Sequence, residues 1–463
     1  MDRAADTHVL IIGNGPAGLS LSAFLSGITP YYNADTPHPN SYIHEQLCKN
    51  EDSLLDQDLS WCENVDELGG SGRPLSVLLD SLIRPEADLG NDLGSSLFWE
   101  RDRAKEVPHI VLGETEIGGS WNNYDPQMLA VSFASWLDLP GYSVADCLQS
   151  NSAISRCRLP SMVIASYMEC YAKELGLTMN IQTKRKVTSI TKEGNLWRTT
   201  GRTTDGRPFS ITSNKVVLAC GRTVCRTLEI SNEHENKNIV YDVPSLKARI
   251  KHDIATRQDY TSGVGNGRVV IIGDGISSAD IVRFCLKRDI AVLHVMRRNE
   301  RQLRHIMMAR LSPSHYAEYH QVHRLMTGKD RHPLYERKCA SSVTAIDEST
   351  VTLSTPAGIL VEPLCLMAVC IGRVSDTDAI LQEKLTFDGY NCEQDDSMFA
   401  IGSLAGDHFV RYLVGGALEV ARMINSDYKS HVNNNCNKAQ PNTNNTYMNC
   451  KFRNVLKRFC ERC

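Results

Sequence analysis

Twice in this 463-residue chain a short β-branched run ends in a glycine turn and passes directly into a helix-forming stretch. The first is HVLII at 8–12, followed by Gly13-Asn14-Gly15-Pro16-Ala17-Gly18 and an apolar segment over 19–25. The second is RVVII at 268–272, followed by Gly273-Asp274-Gly275-Ile276-Ser277-Ser278-Ala279. Strand, glycine turn and helix in this order cradle a dinucleotide pyrophosphate. The first Gly permits the tight turn, the second lets the ligand approach the backbone, and the third brings helix and strand close together. The helix then aims its free N–H groups and positive end at the phosphates. In the second turn Ser or Ala replaces the third Gly, as in NADPH-type variants. Two such turns 260 residues apart predict two dinucleotide-binding units in one α/β chain.

The residues beyond each turn separate their ligands. After the second, the run IAVLHV at 290–295 leads to Met296-Arg297-Arg298. A guanidinium at that strand end meets a 2′-phosphate in bidentate fashion, where an acid would bind the NAD ribose. Arg297 and Arg298 therefore predict NADPH, against the alternative of a solvated basic edge. After the first turn no comparable strand ending in an acid appears within twenty residues. The next clear strand is PHIVLG at 108–113. Between them residues 45–106 hold fifteen acids against six Lys and Arg, which reads as a solvated acidic insertion over about 30–107. One helix is expected inside it at 75–83. It is read as a cap over the first nucleotide domain, with protein-partner binding as the alternative.

Composition narrows the class. With 42% hydrophobic and 22% charged residues and a net charge of −4, the chain is an ordinary globular protein rather than a phosphate-neutralising nucleic-acid binder. It has no run of eighteen apolar residues, so no membrane span is expected. A strand starting near residue 8 leaves no expected targeting peptide. Sixteen cysteines without a secretory signal read as reduced thiols in a cytoplasmic or nuclear setting.

Ile117-Gly118-Gly119-Ser120-Trp121, just after the 108–113 strand, resembles the G-G-x-W turn that lies beside FAD in class B flavin-dependent monooxygenases. That family carries a ribose-binding acid five residues before the Ile; here the position is Leu112, with Glu114 two residues on as the candidate replacement. Residues 215–221 (KVVLACG) resemble the strand by which such chains leave the FAD domain, and 366–372 (LMAVCIG) the strand by which they return. The last strand, 398–402, leads to Gly402 and then Asp407, the candidate for the ribityl chain; Gly415 and Gly416 open the expected final helix. In the linker, Asp242 stands near the place of a His that couples NADPH to flavin in the family.

Residues 56–59 (DQDL), 133–141 (FASWLDLPG) and 406–413 (GDHFVRYL) narrow the resemblance to the oxidative stress-induced growth inhibitor family, over residues 8–426. The resemblance implies a two-dinucleotide-binding-domain flavoprotein, a Rossmann-like FAD domain split around an inserted Rossmann-like NADPH domain. Its implied division is 1–225 and 366–428 for FAD, 226–365 for NADPH, and 429–463 as an Asn-rich, basic-ended tail expected to be disordered. Gly13, Gly15, Pro16, Ala17, Gly18, Gly118, Gly119, Trp121, Gly402 and Asp407 would hold FAD; Gly273, Gly275, Ser277, Arg297 and Arg298 would hold NADPH.

The implied reaction is insertion of one oxygen atom from O₂ into a small-molecule substrate through a flavin C4a-(hydro)peroxide. The setting is control of cell growth, death and division, with nuclear or midbody association as a family property. Two other readings stay open: a regulatory flavoprotein fold acting by partner binding, and an uncoupled NADPH oxidase. No catalytic acid or base has a supporting spacing. His315, His320 and His323, on an expected helix at 314–326, read as a surface helix rather than a metal site, and no metal is expected. The Cys220–Cys225 and Cys460–Cys463 pairs are redox candidates, but Cys460-x-x-Cys463, in a tail with no βαβ context, does not read as a thioredoxin-like site.

Overall fold

In the computed structural model, which describes residues 4–69, 72–91, 93–150, 152–255, 267–381 and 383–438, both β-branched runs become central strands with parallel neighbours on either side. Thr7–Ile12 is flanked on one side by Pro208–Leu218 and on the other by His109–Leu112, both parallel to it. Met398–Ala400 continues the sheet beyond Pro208–Leu218, again in parallel. Strands buried on both faces must be apolar throughout, and Val9, Leu10, Ile11 and Val216 to Leu218 are all fully buried. The helix Pro16–Leu25 covers one face.

The second sheet has the order Ile239–Val240, Leu366–Val369, Val269–Ile272, Val292–Val295, Tyr335–Lys338, parallel at every pairing. The helix Ile276–Leu286 packs on it from the second glycine turn. The chain enters and leaves this second domain through two segments that pair with each other, Val224–Cys225 antiparallel to Arg373–Val374. The expected boundary at 366 is thereby corrected. Leu366–Val369 hydrogen-bonds beside Val269–Ile272, so it closes the second sheet, and the return falls at 373–374. Across the domain boundary Lys247 pairs with Asp125 at 2.6 Å, and Arg158 pairs with Glu318 and lies 4.5 Å over the Tyr316 ring.

The insertion also departs from expectation. A strand does follow the first helix, Ile28–Tyr32, but it pairs antiparallel with Leu97–Arg101 outside the main sheet, leaving the place beside Thr7–Ile12 to His109–Leu112. The segment is no solvated cap. Ile43, Leu47, Leu54, Leu59, Leu78 and Leu82 are buried in the same core as Leu19 and Phe24. Its acids sit on the outside or in ion pairs, while its leucines recur at helical spacing and turn inward. The expected helix is observed as Pro74–Ile83.

The long helix Val410–Lys438 lies against it, beginning five residues earlier than expected from the glycine pair. Gly415 and Gly416 fall inside that helix because neighbours crowd them. A Cβ on Gly415 would lie 2.3 Å from Ser76 Cα, and one on Gly416 2.6 Å from the Tyr390 ring. The rest of the tail, 439–463, with Cys460 and Cys463, lies outside the described residues.

Candidate functional site

The two glycine turns are built alike. Gly13 and Gly273 adopt φ of +121° and +120°, which L side chains rarely reach. Each donates its N–H to the end of the next strand, Gly13 to Leu112 O at 2.7 Å and Gly273 to Val295 O at 3.1 Å. Each is pressed against the strand on its other side. A Cβ would lie 2.3 Å from Ala219 O in the first turn and 2.2 Å from Cys370 O in the second. The following glycines, Gly15 and Gly275, are helix N-caps with extended backbone. A Cβ on Gly275 would meet nothing within 4 Å, and on Gly15 nothing nearer than 3.9 Å. Both turns therefore present bare backbone at a helix N-terminus, the shape a pyrophosphate requires, the second to open space and the first beside the Gly118–Gly119 loop.

Around the first turn the other sequence-predicted residues come together. Gly119, at φ +59°, lies so close to Gly15 that a Cβ would be 2.9 Å from Gly15 Cα. Gly118, at φ +114°, donates its N–H to Asn14 O at 3.0 Å. The Asn14 side chain donates to Thr115 O and Glu116 O, both at 3.0 Å, and so ties the two loops. Gly402, at φ +69°, abuts Ala17, and Pro16 opens the helix. Trp121 packs edge-on against Tyr124 at 5.5 Å.

Two assignments meet other partners. Both carboxylate oxygens of Asp407 are engaged within the protein, one by an ion pair with Arg73 of the insertion and the other by Tyr390 Oη at 2.9 Å. Burial pushes this carboxyl above the usual range although Arg73 opposes the shift. Arg73 also donates to Ala405 O, so the insertion fixes the loop between Gly402 and Asp407. Leu112 is buried in the core, and Glu114 is exposed in an ion pair with Lys186 at 3.0 Å.

In the second domain Ser277 is exposed on the first helical turn, and Arg297 is exposed with no hydrogen bond or ion pair among the described residues. Arg298 pairs with Asp274 inside the turn itself. Sequence reasoning missed His294, which is fully buried beneath the turn. Its Nε2 donates to Gly273 O at 2.6 Å and its Nδ1 accepts from Tyr335 Oη at 2.8 Å. Burial depresses its pKa to about 4, so it is neutral. The signal was a lone His in an otherwise apolar strand. Burial also pushes the thiols of Cys220 and Cys370 up to about 12, away from thiolate chemistry. Asp242 accepts from Ser245 N at 2.7 Å and so caps the helix Val243–Ala255.

Of the three histidines read as a surface helix, His323 is buried and bonded to Leu303 O at 2.9 Å, while His315 precedes the helix Ala317–Met326 and packs against Phe133. Among the described residues no group of three or more His, Cys, Asp or Glu is arranged to hold a metal ion, and no helix is long and apolar enough to cross a membrane.

Three stretches distant in sequence also converge. Arg411 pairs with Asp80 and Asp88 and lies 4.6 Å over the Trp136 ring. Arg84 donates to Ser135 O at 2.5 Å, and Asp56 takes Lys105 and Lys429. The residue types that singled out 56–59, 133–141 and 406–413 thus line one seam between the insertion and the C-terminal helix.

No protein-family model matches the chain. It is 48% identical over 430 residues to the oxidative stress induced growth inhibitor homolog osgn-1 of Caenorhabditis elegans, covering 90% of this chain and 94% of that one. It is 30% identical over 487 residues to human oxidative stress-induced growth inhibitor 2, covering 91% and 94%. Among solved structures it superposes on the bacillithiol disulfide reductase YpdA of Bacillus cereus with a TM-score of 0.56 at 14% identity, covering 91% of this chain and 99% of that one. On the ornithine hydroxylase PvdA of Pseudomonas aeruginosa the TM-score is 0.57 at 12% identity, covering 92% and 99%. The fold is that of the two-dinucleotide-binding-domain flavoproteins.

Proposed function

The chain belongs to the oxidative stress-induced growth inhibitor family, and we propose that it is an NADPH-dependent flavoprotein monooxygenase with a role in growth control. The carrying observation is the pair of bare glycine turns, each opening a helix on its own parallel sheet, with the G-G-S-W loop against the first alone. The unclashed backbone at Gly15 and the open space at Gly275 support a pyrophosphate at each turn. When bound, FAD supplies acceptance of two electrons from NADPH and reduction of O₂, one oxygen atom entering the substrate and the other leaving as water.

The protein's part is binding, orientation and exclusion of water. The N–H groups that follow Pro16 in the first turn of its helix would hold the FAD pyrophosphate, and Gly118, Gly119 and Trp121 would border the flavin. Gly402 keeps its loop tight on Ala17. In the second domain, Gly273, Gly275 and Ser277 would hold the NADPH pyrophosphate, and Arg297 would meet the 2′-phosphate. Asp407 acts on the flavin's surroundings through Arg73 and Tyr390. Leu112 leaves the adenosine ribose without its usual acid, which weakens FAD without abolishing its binding.

One observation favours peroxide release over oxygen insertion: Asp242, near the place of the family's coupling His, is spent on a helix cap. Purified protein should show flavin absorbance near 450 nm and oxidise NADPH. Oxygenated product matching NADPH consumed supports the monooxygenase, and stoichiometric peroxide with every substrate replaces it with an oxidase. A colourless protein that neither takes up FAD nor consumes NADPH overturns both in favour of partner binding.

A further inference from the structure

A cavity of about 430 Å³ opens between the insertion and residues 133–146, with His315 of the second domain on its edge, and no residue assigned to either dinucleotide lines it. The volume falls in the range of small-molecule sites. Its walls are aromatic, with Trp99, Phe133, Trp136 and Tyr142 contributing.

The charges that build this cavity are nearly all closed on one another. Arg84 gives Nε to Ser135 O at 2.5 Å, Nη1 to Asp80 at 2.9 Å and Nη2 to Asp138 O at 3.3 Å. Arg411 takes the other oxygen of Asp80 together with Asp88. The carboxylate of Asp146 accepts from Ser143 N and Ser143 Oγ at 3.1 and 2.6 Å, both on Oδ2, and is exposed, so water serves its other oxygen. Arg156 is exposed and donates to Gly90 O at 2.8 Å on the rim, where solvent screens it.

Asp138 is the less exposed of the two lining carboxylates. Its Oδ1 accepts from Val144 N at 2.7 Å, while among the described residues no donor meets Oδ2. The Arg84 guanidinium opposes the rise in the Asp138 carboxyl's pKa but gives its hydrogen bonds elsewhere, so Oδ2 keeps an unused acceptor in a cavity with aromatic lining, and aromatic quadrupoles and a carboxylate attract the same ligand charge.

We propose that this cavity binds a small organic ammonium with an apolar body, its N–H donated to Asp138 Oδ2 and its body against Trp99, Trp136 and Tyr142. The site is independent of the redox reading and stands whether or not the turns hold FAD and NADPH. Burial pushes the Asp138 carboxyl up to about 6, so the carboxylate still predominates at pH 7.5.

The test is calorimetric titration of the full chain at pH 7.5 with phenethylammonium, neutral 2-phenylethanol and anionic 3-phenylpropionate. Saturable one-to-one binding of the ammonium is expected, about tenfold or more tighter than the alcohol, with no binding of the carboxylate. Asp138→Asn keeps an acceptor for Val144 N and should weaken the ammonium about tenfold or more. Leu93→Arg, at an exposed lining position, should weaken it by charge repulsion without disturbing the core. No saturable binding of phenethylammonium to the unmodified chain overturns the proposal. So does equal affinity for the three probes, or unchanged affinity in folded Asp138→Asn. Should Asp138→Asn fail to fold, unchanged affinity in Leu93→Arg overturns it instead.

Discussion

The two glycine turns share the same backbone geometry at their paired glycines, yet they sit in opposite surroundings. The first is walled in by protein. Gly18 is so close to the turn that a Cβ would be 1.9 Å from Gly13 O, Gly119 presses on Gly15, and Gly402 presses on Ala17. The second is walled on one side only. Its third position is Ser278, which fits completely buried and bonds Gly275 O at 2.7 Å. Ser277 and Arg297 stand open to solvent. A ligand in the first turn would be enclosed and slow to leave, as suits a resident cofactor. One in the second would meet an open ledge with a free guanidinium, as suits a cofactor that comes and goes. Identical local geometry therefore says little about residence, which is set by the loops that other parts of the chain bring in.

Four experiments put that contrast at risk. The largest effect is expected where the turns agree. Gly13→Ala and Gly273→Ala each force a Cβ into a carbonyl oxygen at an unfavourable φ, and each should lose roughly 3 kcal/mol or more, read by thermal or urea unfolding. Loss in one turn only would show that the turns are not mechanically equivalent.

The second test is acid. His294 has a pKa of about 4 in the fold against about 6.5 unfolded, so its stabilising contribution is complete above pH 6.5 and is lost as pH falls toward 4. The loss should be about 3 kcal/mol, read as the difference in pH-dependent unfolding between the parent and His294→Gln. The first domain has its own buried imidazole, His109, bonded to Ser22 at 2.9 Å and also held below its usual pKa by burial, so its acid response has the same sign and only the His294→Gln comparison isolates the second turn. Asp280, pushed up by burial to about 6, has the opposite sign, gaining stability as pH falls through 6, and the variant comparison separates the two.

The third is Arg297→Ala, which should weaken NADPH about 10- to 100-fold and NADH hardly at all, measured by titration. Equal losses would reduce Arg297 to a solvated edge. The smallest effect is expected from Ser278→Gly, which makes the second turn formally match the first. It should cost only about 1 kcal/mol, from one hydrogen bond and helix propensity. The reciprocal Gly18→Ser should be far worse, and comparable losses would refute the difference in packing.

Much of this arrangement was legible in the chain itself. The strands at 8–12 and 268–272 follow from β-branched runs ending in glycine, because only glycine reaches the φ of Gly13 and Gly273. The strand expected at 108–113 forms as His109–Leu112, and the fold sets it beside the first. The insertion was misread because composition counts charges without their directions. Fifteen acids suggest a solvated segment, while the leucines at helical spacing between them go to the core. The start of the last helix was misplaced for a related reason. A glycine pair signals a helix end or turn locally, but Gly415 and Gly416 answer to Ser76 and Tyr390, far away in sequence.

The two nucleotide units, their order and the kind of backbone each turn needs can be read from the residues alone, because they depend on steric rules acting within a few positions. It took the folded chain to show that Arg73 and Tyr390 hold Asp407 and that His294 supports Gly273. Folding likewise leaves Asp138 with a free oxygen in an aromatic cavity. Those outcomes depend on which distant side chains reach the same point, and a buried polar group takes whatever partner arrives there.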